Sequence, residues 1–194
     1  MRLLASLTSP YARKLRVMAL ELGLPVEVVE TSPMDDGPAL LSVNPLGKVP
    51  ALVLDDGTAL VDSRVISGYL LAQVPGTTLL PADGPAHWHV RTTEAIADGV
   101  LDAAINLRFN AAQQITSGLW VDRQYRAIDR AMGALAIRVG DNFGFAEICI
   151  VTACEYLDLR FPGIDWRGAQ PPLAALQARL TDRASFAATR PPQA

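Results

Sequence analysis

Two hydroxyl-bearing helix starts and one proline turn hold the residues that could do chemistry in this sequence. Thr8-Ser9-Pro10 stands two residues after the apolar run Leu3-Leu4-Ala5. A serine N-cap with proline at the first helical position is a common way to open a helix. The same geometry gathers unpaired backbone N–H groups beside a hydroxyl, where an anion is stabilised. Arg13, Lys14 and Arg16 crowd the turns that follow. Cations there oppose the helix dipole, a cost easier to understand with an anionic ligand nearby. Asp62-Ser63 repeats the pattern ahead of another apolar helix. It reads either as a cap or as an anion site at Ser63, with Asp62 beside it for an ammonium. A ligand with both charges, such as the α-amino and α-carboxylate of an amino acid, matches the pair.

The third piece is NPLGKVPAL, residues 44–52. Proline cannot donate to a sheet ladder, yet Pro50 stands at the mouth of the apolar run Ala51–Leu54. The bond before proline has only a small trans preference, so a cis Val49–Pro50 bond is feasible in a tight turn. Such a turn would direct the N–H and C=O of Val49 outward, free to pair with an extended peptide. The sequence leaves the isomer open.

Other chemistry is absent. The chain has no GxGxxG, GxxxxGK[ST], HExxH, GxSxG or CxxC pattern. His87 and His89 are two residues apart, hence on different faces of a helix, which argues against a metal site. Cys149 and Cys154 sit in an apolar helical stretch and read as small buried hydrophobes.

The elements that must position these groups fall into two grammars. Leu3–Ala5 is a short strand, and SPYARKLRVMALELG is a helix with Leu15, Met18, Ala19 and Leu22 on one face and Gly23 as its stop. Residues 26–30 form a second strand, and 31–43 a looser stretch. Ala51–Leu54 and Thr58–Val61 flank an Asp-Gly turn as a β-hairpin. A helix follows from about Ser63 to Gln73. The early β-α-β implies a right-handed crossover between parallel strands, and the hairpin adds an antiparallel part. VPGTTLLPADGPA, residues 74–86, lacks any period and reads as a linker. Beyond it only helical stripes occur: Ile96, Val100, Ala103, Ala104 and Leu107; Val121, Tyr125, Ile128, Met132 and Leu135; and Leu173, Leu176 and Leu180 after Pro171-Pro172. GFAEICIVTACEYLDL is apolar nearly all round, as a central buried helix would be.

Bulk properties narrow the class. The chain has 194 residues, 50% hydrophobic and 19% charged, ample for a core and unlike a disordered chain. A net charge of −3 offers no electrostatic case for nucleic acid. No apolar run approaches the ~20 residues of a membrane span, and the N-terminus is too short in apolar residues for a secretory leader. Two cysteines are too few for a disulfide framework. A cytoplasmic protein that binds neither nucleic acid nor membrane is expected.

The helix-start Ser-Pro, NPxGKVPxL, and an acidic residue plus Ser before a helix occur in that order. Together they closely resemble the glutathione transferase family, of a bacterial, serine type. ADGVLDAAINLR, EYLDLRFP and FAATRPP extend the resemblance over almost the whole chain. It implies an α/β thioredoxin-like N-terminal domain (βαβαββα, residues 1–75), a linker (76–86) and an all-α helical-bundle C-terminal domain (87–194). It implies glutathione as co-substrate, no metal, a small hydrophobic electrophile as in detoxification, and a homodimer. By resemblance, Ser9 meets the glutathione sulfur, with Thr8 as the alternative. Lys48 reaches the glycyl end, Val49 pairs its backbone with the cysteinyl part before cis-Pro50, and Asp62 and Ser63 hold the γ-glutamyl end. Asp102 resembles an acidic residue that some members present to the neighbouring subunit's glutamyl ammonium. The electrophile would lie between Ser9 and the bundle, against side chains such as Leu107 or Trp120.

The sequence departs from the family pattern in three places. Asp62 stands where many members have Glu or Gln, one methylene longer. Gly144-Phe145-Ala146-Glu147 replaces a Ser/Thr-x-x-Asp capping box. Glu147 is expected to bond back to the Gly144 N–H, with the helix start weakened by up to ~1 kcal/mol. No cysteine occupies position 8 or 9, which argues against mixed-disulfide exchange. Two rivals accompany the transferase reading: a non-catalytic interaction scaffold, and a glutathione-dependent isomerase or ether-cleaving enzyme.

Overall fold

The computed structural model describes residues 1–192 and divides into two units. Unit 1 runs from Met1 to Thr78 and takes in the chain again from Arg183. Its elements are β1 (Arg2–Ala5), α1 (Pro10–Glu21), β2 (Glu27–Glu30), α2 (Pro38–Leu41), β3 (Ala51–Val53), β4 (Ala59–Leu60) and α3 (Ser63–Ala72). The sheet order is β2-β1-β3-β4. β1 and β2 are parallel, while β3 is antiparallel to both β1 and β4. This is the small mixed sheet of a thioredoxin-like fold.

Local chemistry explains each element. Leu3, Leu4, Ala5, Ala51 and Leu52 are buried, as central strands should be. β2 is the edge strand, and its charged Glu27 and Glu30 are exposed, which protects the edge. α1 buries Leu15, Met18 and Ala19 as the stripe predicts. It ends where Gly23 adopts φ +65°, a conformation that suits glycine, while the Leu24 N–H donates back to the Ala19 carbonyl.

Unit 2 spans Leu79–Asp182 and is helical: α4 (Gly84–Ala112), α5 (Leu119–Ala136), α6 (Phe145–Arg160), α7 (Trp166–Ala169) and α8 (Pro171–Leu180). α4 begins at Gly84, inside the expected linker, because Pro85 in its first turn has a ring already set for helix. The α8 stripe Leu173, Leu176 and Leu180 is buried. α6 is buried on nearly all sides, Cys149 and Cys154 included. On α5 the expected face holds except at Tyr125, which is exposed; Gln124 is the buried neighbour. Trp166 is buried at α7, its indole N–H donating to Asp158 at 2.8 Å.

The start of α6 differs from expectation. Gly144 is the N-cap without a side-chain cap. The Glu147 carboxylate accepts from the Gly140 N–H at 3.2 Å, so it braces the preceding loop rather than Gly144. The Phe145 N–H instead donates to the Leu79 carbonyl at 2.8 Å. A Cβ on Gly144 would stand 3.2 Å from that carbonyl, so the absence of a side chain lets Leu79, inside the expected linker, dock there.

The final short helix, α9 (Ala184–Ala187), belongs to unit 1. By position in the chain it falls in the expected bundle domain, and the structure corrects that boundary. Phe186 is fully buried, and Arg183 chelates Glu21 of α1 with two bonds of 2.6 Å. An apolar anchor plus a bidentate ion pair outweighs proximity in sequence.

Candidate functional site

Register brings the three pieces of the sequence motif to one end of the sheet. β1 finishes at Ala5 and leads through Ser6–Thr8 into α1. Ala51 of β3 lies opposite Leu4, so Val49 and Pro50 fall where β1 finishes. Leu60 of β4 lies opposite Leu52, so Val61 and Asp62 arrive at that same end. Antiparallel pairing on both sides of β3 is what collects groups more than fifty residues apart.

Ser9 is the N-cap of α1, and its Oγ accepts from the Ala12 N–H at 3.3 Å. With that acceptor role engaged, the Ser9 O–H remains to be donated elsewhere. The Thr8 hydroxyl shares a 3.2 Å hydrogen bond with the Ser6 hydroxyl. Both Thr8 and Ser9 are half-buried. Arg13 is buried, its guanidinium 5.9 Å from the Phe186 ring centroid, so packing accounts for part of the cation cluster that the sequence links to a ligand. Burial, and then the charge of Arg13, hold Arg16 below the ordinary guanidinium value.

The Val49–Pro50 and Val61–Asp62 peptide bonds are cis. Lys48 is exposed, Val49 half-buried and Pro50 buried. Asp62 is the N-cap of α3: its Oδ1 accepts from the Arg64 N–H at 2.9 Å. Ser63, the first helical residue, is buried. In unit 2, Asp102 is exposed on α4. Leu107 is packed inside the bundle, whereas Trp120 is exposed at the start of α5.

Two residues of this end lie outside the sequence-predicted set. One is Ser6, the hydroxyl partner of Thr8. The other is Asn44, buried and bonded through both ends of its amide. The Asn-Pro step before Gly47 is an Asx-turn signal that points to it.

A cleft of about 620 Å³ opens at the opposite end of the sheet, lined by Met1, Arg2, Glu27 and Asp55 among others. Its Met1 ammonium and Asp55 already pair at 2.9 Å. None of the three motif pieces contributes to it. Among the described residues no group of His, Cys, Asp and Glu could hold a metal ion, and no helix is long and apolar enough to cross a membrane.

Residues 3–78 match the family model described as glutathione S-transferase, N-terminal domain. The uncharacterised GST-like protein YibF of Escherichia coli K12 is 35% identical over the full length of both chains. A glutathione S-transferase of Methylobacterium radiotolerans, solved with glutathione sulfonate, superposes with a TM-score of 0.92 at 36% identity, over 100% of this chain and 95% of that one. Another from Methylobacillus flagellatus, solved with glutathione bound, gives 0.91 at 36% identity over 98% and 99%. With a full-length relative at this identity and the thioredoxin-like unit in place, the chain belongs to the glutathione transferase family, as a transferase-like enzyme.

Proposed function

We propose that the protein binds glutathione across the end of the sheet where β1 finishes, and activates its thiol for attack on a small hydrophobic electrophile. The observation that carries this reading is the convergence of Ser9, Val49-Pro50 and Asp62-Ser63 through the strand register. Relatives of similar length, solved with glutathione sulfonate and with glutathione, support the ligand. Ser9 donates its O–H to the sulfur, with Thr8 as the alternative donor. Lys48 meets the glycyl carboxylate, the Val49 backbone the cysteinyl part beside Pro50, and Asp62 and Ser63 the γ-glutamyl ammonium and carboxylate. Asp102 of a second copy adds a charge near that ammonium in a homodimer. The location is cytoplasmic, and the chemistry is of the kind used in detoxification.

The energetic demand on Ser9 is small. A cysteine-type thiol titrates near ~8.5, and the thiolate is the nucleophile. Lowering that value by about two units requires ~2.7 kcal/mol. A hydrogen bond to a charged group supplies about 1.5–3 kcal/mol, and a helix N-terminus roughly 0.3–1 kcal/mol. The Ala12 N–H on Ser9 Oγ polarises the hydroxyl toward donation.

Calorimetric titration with glutathione tests binding, and ultraviolet titration of the bound thiolate tests activation. Binding with a depressed thiol titration is the expected result. Absence of binding at millimolar glutathione would overturn the reading and favour a scaffold.

A further inference from the structure

We infer that Asn44 is a positioning residue, which holds the Lys48–Val49 peptide in the orientation that presents it to glutathione. The inference rests on the glutathione site proposed above. Asn44 is only 3% exposed, yet it sits in a loop. Its Nδ2 donates to the Lys48 carbonyl at 2.7 Å, and its Oδ1 accepts from the Leu46 N–H at 3.1 Å. Its own backbone is tied in as well. The Asn44 N–H donates to the Leu40 carbonyl at 2.8 Å, and its carbonyl accepts from the Gly47 N–H at 3.0 Å. One side chain thus closes the turn from the inside, anchored to the end of α2. Gly47 takes the left-handed φ of +60° that the turn requires.

The consequence follows from peptide planarity. The Lys48–Val49 peptide is trans. In a trans peptide the C=O and N–H point in opposite directions. The Lys48 carbonyl is turned inward to the buried Asn44 amide. The Val49 N–H is therefore turned away from Asn44, on the side where an extended peptide ligand would accept from it. Asn44 touches no ligand atom itself. It acts through the peptide plane, and through the direction in which Lys48 leaves the chain.

Asn44→Asp tests this with little change of shape. The carboxylate still accepts from the Leu46 N–H, but it meets the Lys48 carbonyl with an acceptor and turns that peptide. Glutathione affinity is measured by calorimetry for wild type, Asn44→Asp, Lys48→Ala and the double variant. About a tenfold rise in Kd is expected for Asn44→Asp, with unchanged stoichiometry. Lys48→Ala should cost several-fold less when combined with Asn44→Asp than alone, because the lysine is already misdirected. A merely structural role would lower the binding-competent fraction and leave the two effects additive. Should Asn44→Asp fail to fold, Asn44→Ser, whose hydroxyl can accept from the Leu46 N–H, carries the same comparison. Wild-type binding with an unchanged Kd in the variant, or strict additivity, overturns the role of Asn44 alone. No binding by wild type overturns the glutathione site and this inference with it.

Discussion

At the scale of single residues, Ser9 combines an observed duty with a proposed one, and the two must be separated. Its Oγ caps α1, and its O–H is assigned to the sulfur of glutathione. Ser9→Ala removes both, and loss of the cap alone costs ~1 kcal/mol of stability. Ser9→Gly keeps a tolerated cap at a cost of only a few tenths of a kcal/mol, yet also deletes the hydroxyl. Both variants should raise the titration point of the bound thiol by a similar amount, while only the alanine variant melts clearly lower. Thiolate absorbance against pH, beside thermal unfolding, checks this. An unmoved thiol titration in both transfers the role to Thr8. Gly144 shows residue identity set by a neighbour. A Ser there adds a cap but presses its Cβ against the Leu79 carbonyl, so cap gain and crowding oppose.

At the scale of elements, α1 is held at both ends. Its start carries Ser9, and its end carries Glu21, which receives Arg183 and the Ser185 hydroxyl from the C-terminal segment. The Arg183 hydrogen bonds hold the Glu21 carboxyl below its ordinary value. Partial burial works against them, and Ser185 and the Arg183 charge add to the lowering. A carboxyl depressed in the folded state contributes stability that is complete above its unfolded value of ~4.3 and is lost as pH falls through the folded one. Glu21→Gln should therefore melt below wild type near neutrality, with the gap closing under acid conditions below about pH 4. Melting temperature against pH for the two proteins checks it, and a pH-independent gap would remove the ion pair from the account. The apolar α6 makes a second prediction. Burial, reinforced by Asp158 and Glu155, raises the Cys154 thiol far above its ordinary value. Cys149 and Cys154 should stay inert to a thiol reagent in the native protein and react together on unfolding. Fast native labelling would contradict the packing of α6.

At the scale of the whole molecule, the proposed homodimer joins the site to assembly. If Asp102 of a second copy meets the glutamyl ammonium, glutathione affinity should fall as the protein is diluted below its dimer dissociation constant. Asp102→Asn should weaken binding several-fold in the dimer and leave sedimentation unchanged. Analytical ultracentrifugation with matched binding isotherms checks both. A monomer at micromolar concentration that binds glutathione with full affinity would remove the second copy from the site. Retention on immobilised glutathione separates the enzyme from a scaffold, since a scaffold has no need of the sulfur and glutamyl contacts.

Local patterns determined much of this protein without any structure. The strands, the Asp-Gly hairpin, the Gly23 stop and the apolar stripes of α4, α6 and α8 are short-range facts. Each depends on side-chain period or on the backbone freedom of one residue. The motif NPLGKVPAL offered Val49 and Pro50 through the constraint that proline puts on its turn, whereas Lys48 was named by the family resemblance. Tertiary structure alone decided what depends on distant partners. The burial of Arg13 under Phe186, the return of α9 to unit 1 and the docking of Phe145 on Leu79 all involve groups that no local window contains. Asn44 lies between the two cases. Its turn was legible, but its burial, and with it the hold on the Lys48 carbonyl, belongs to the folded chain.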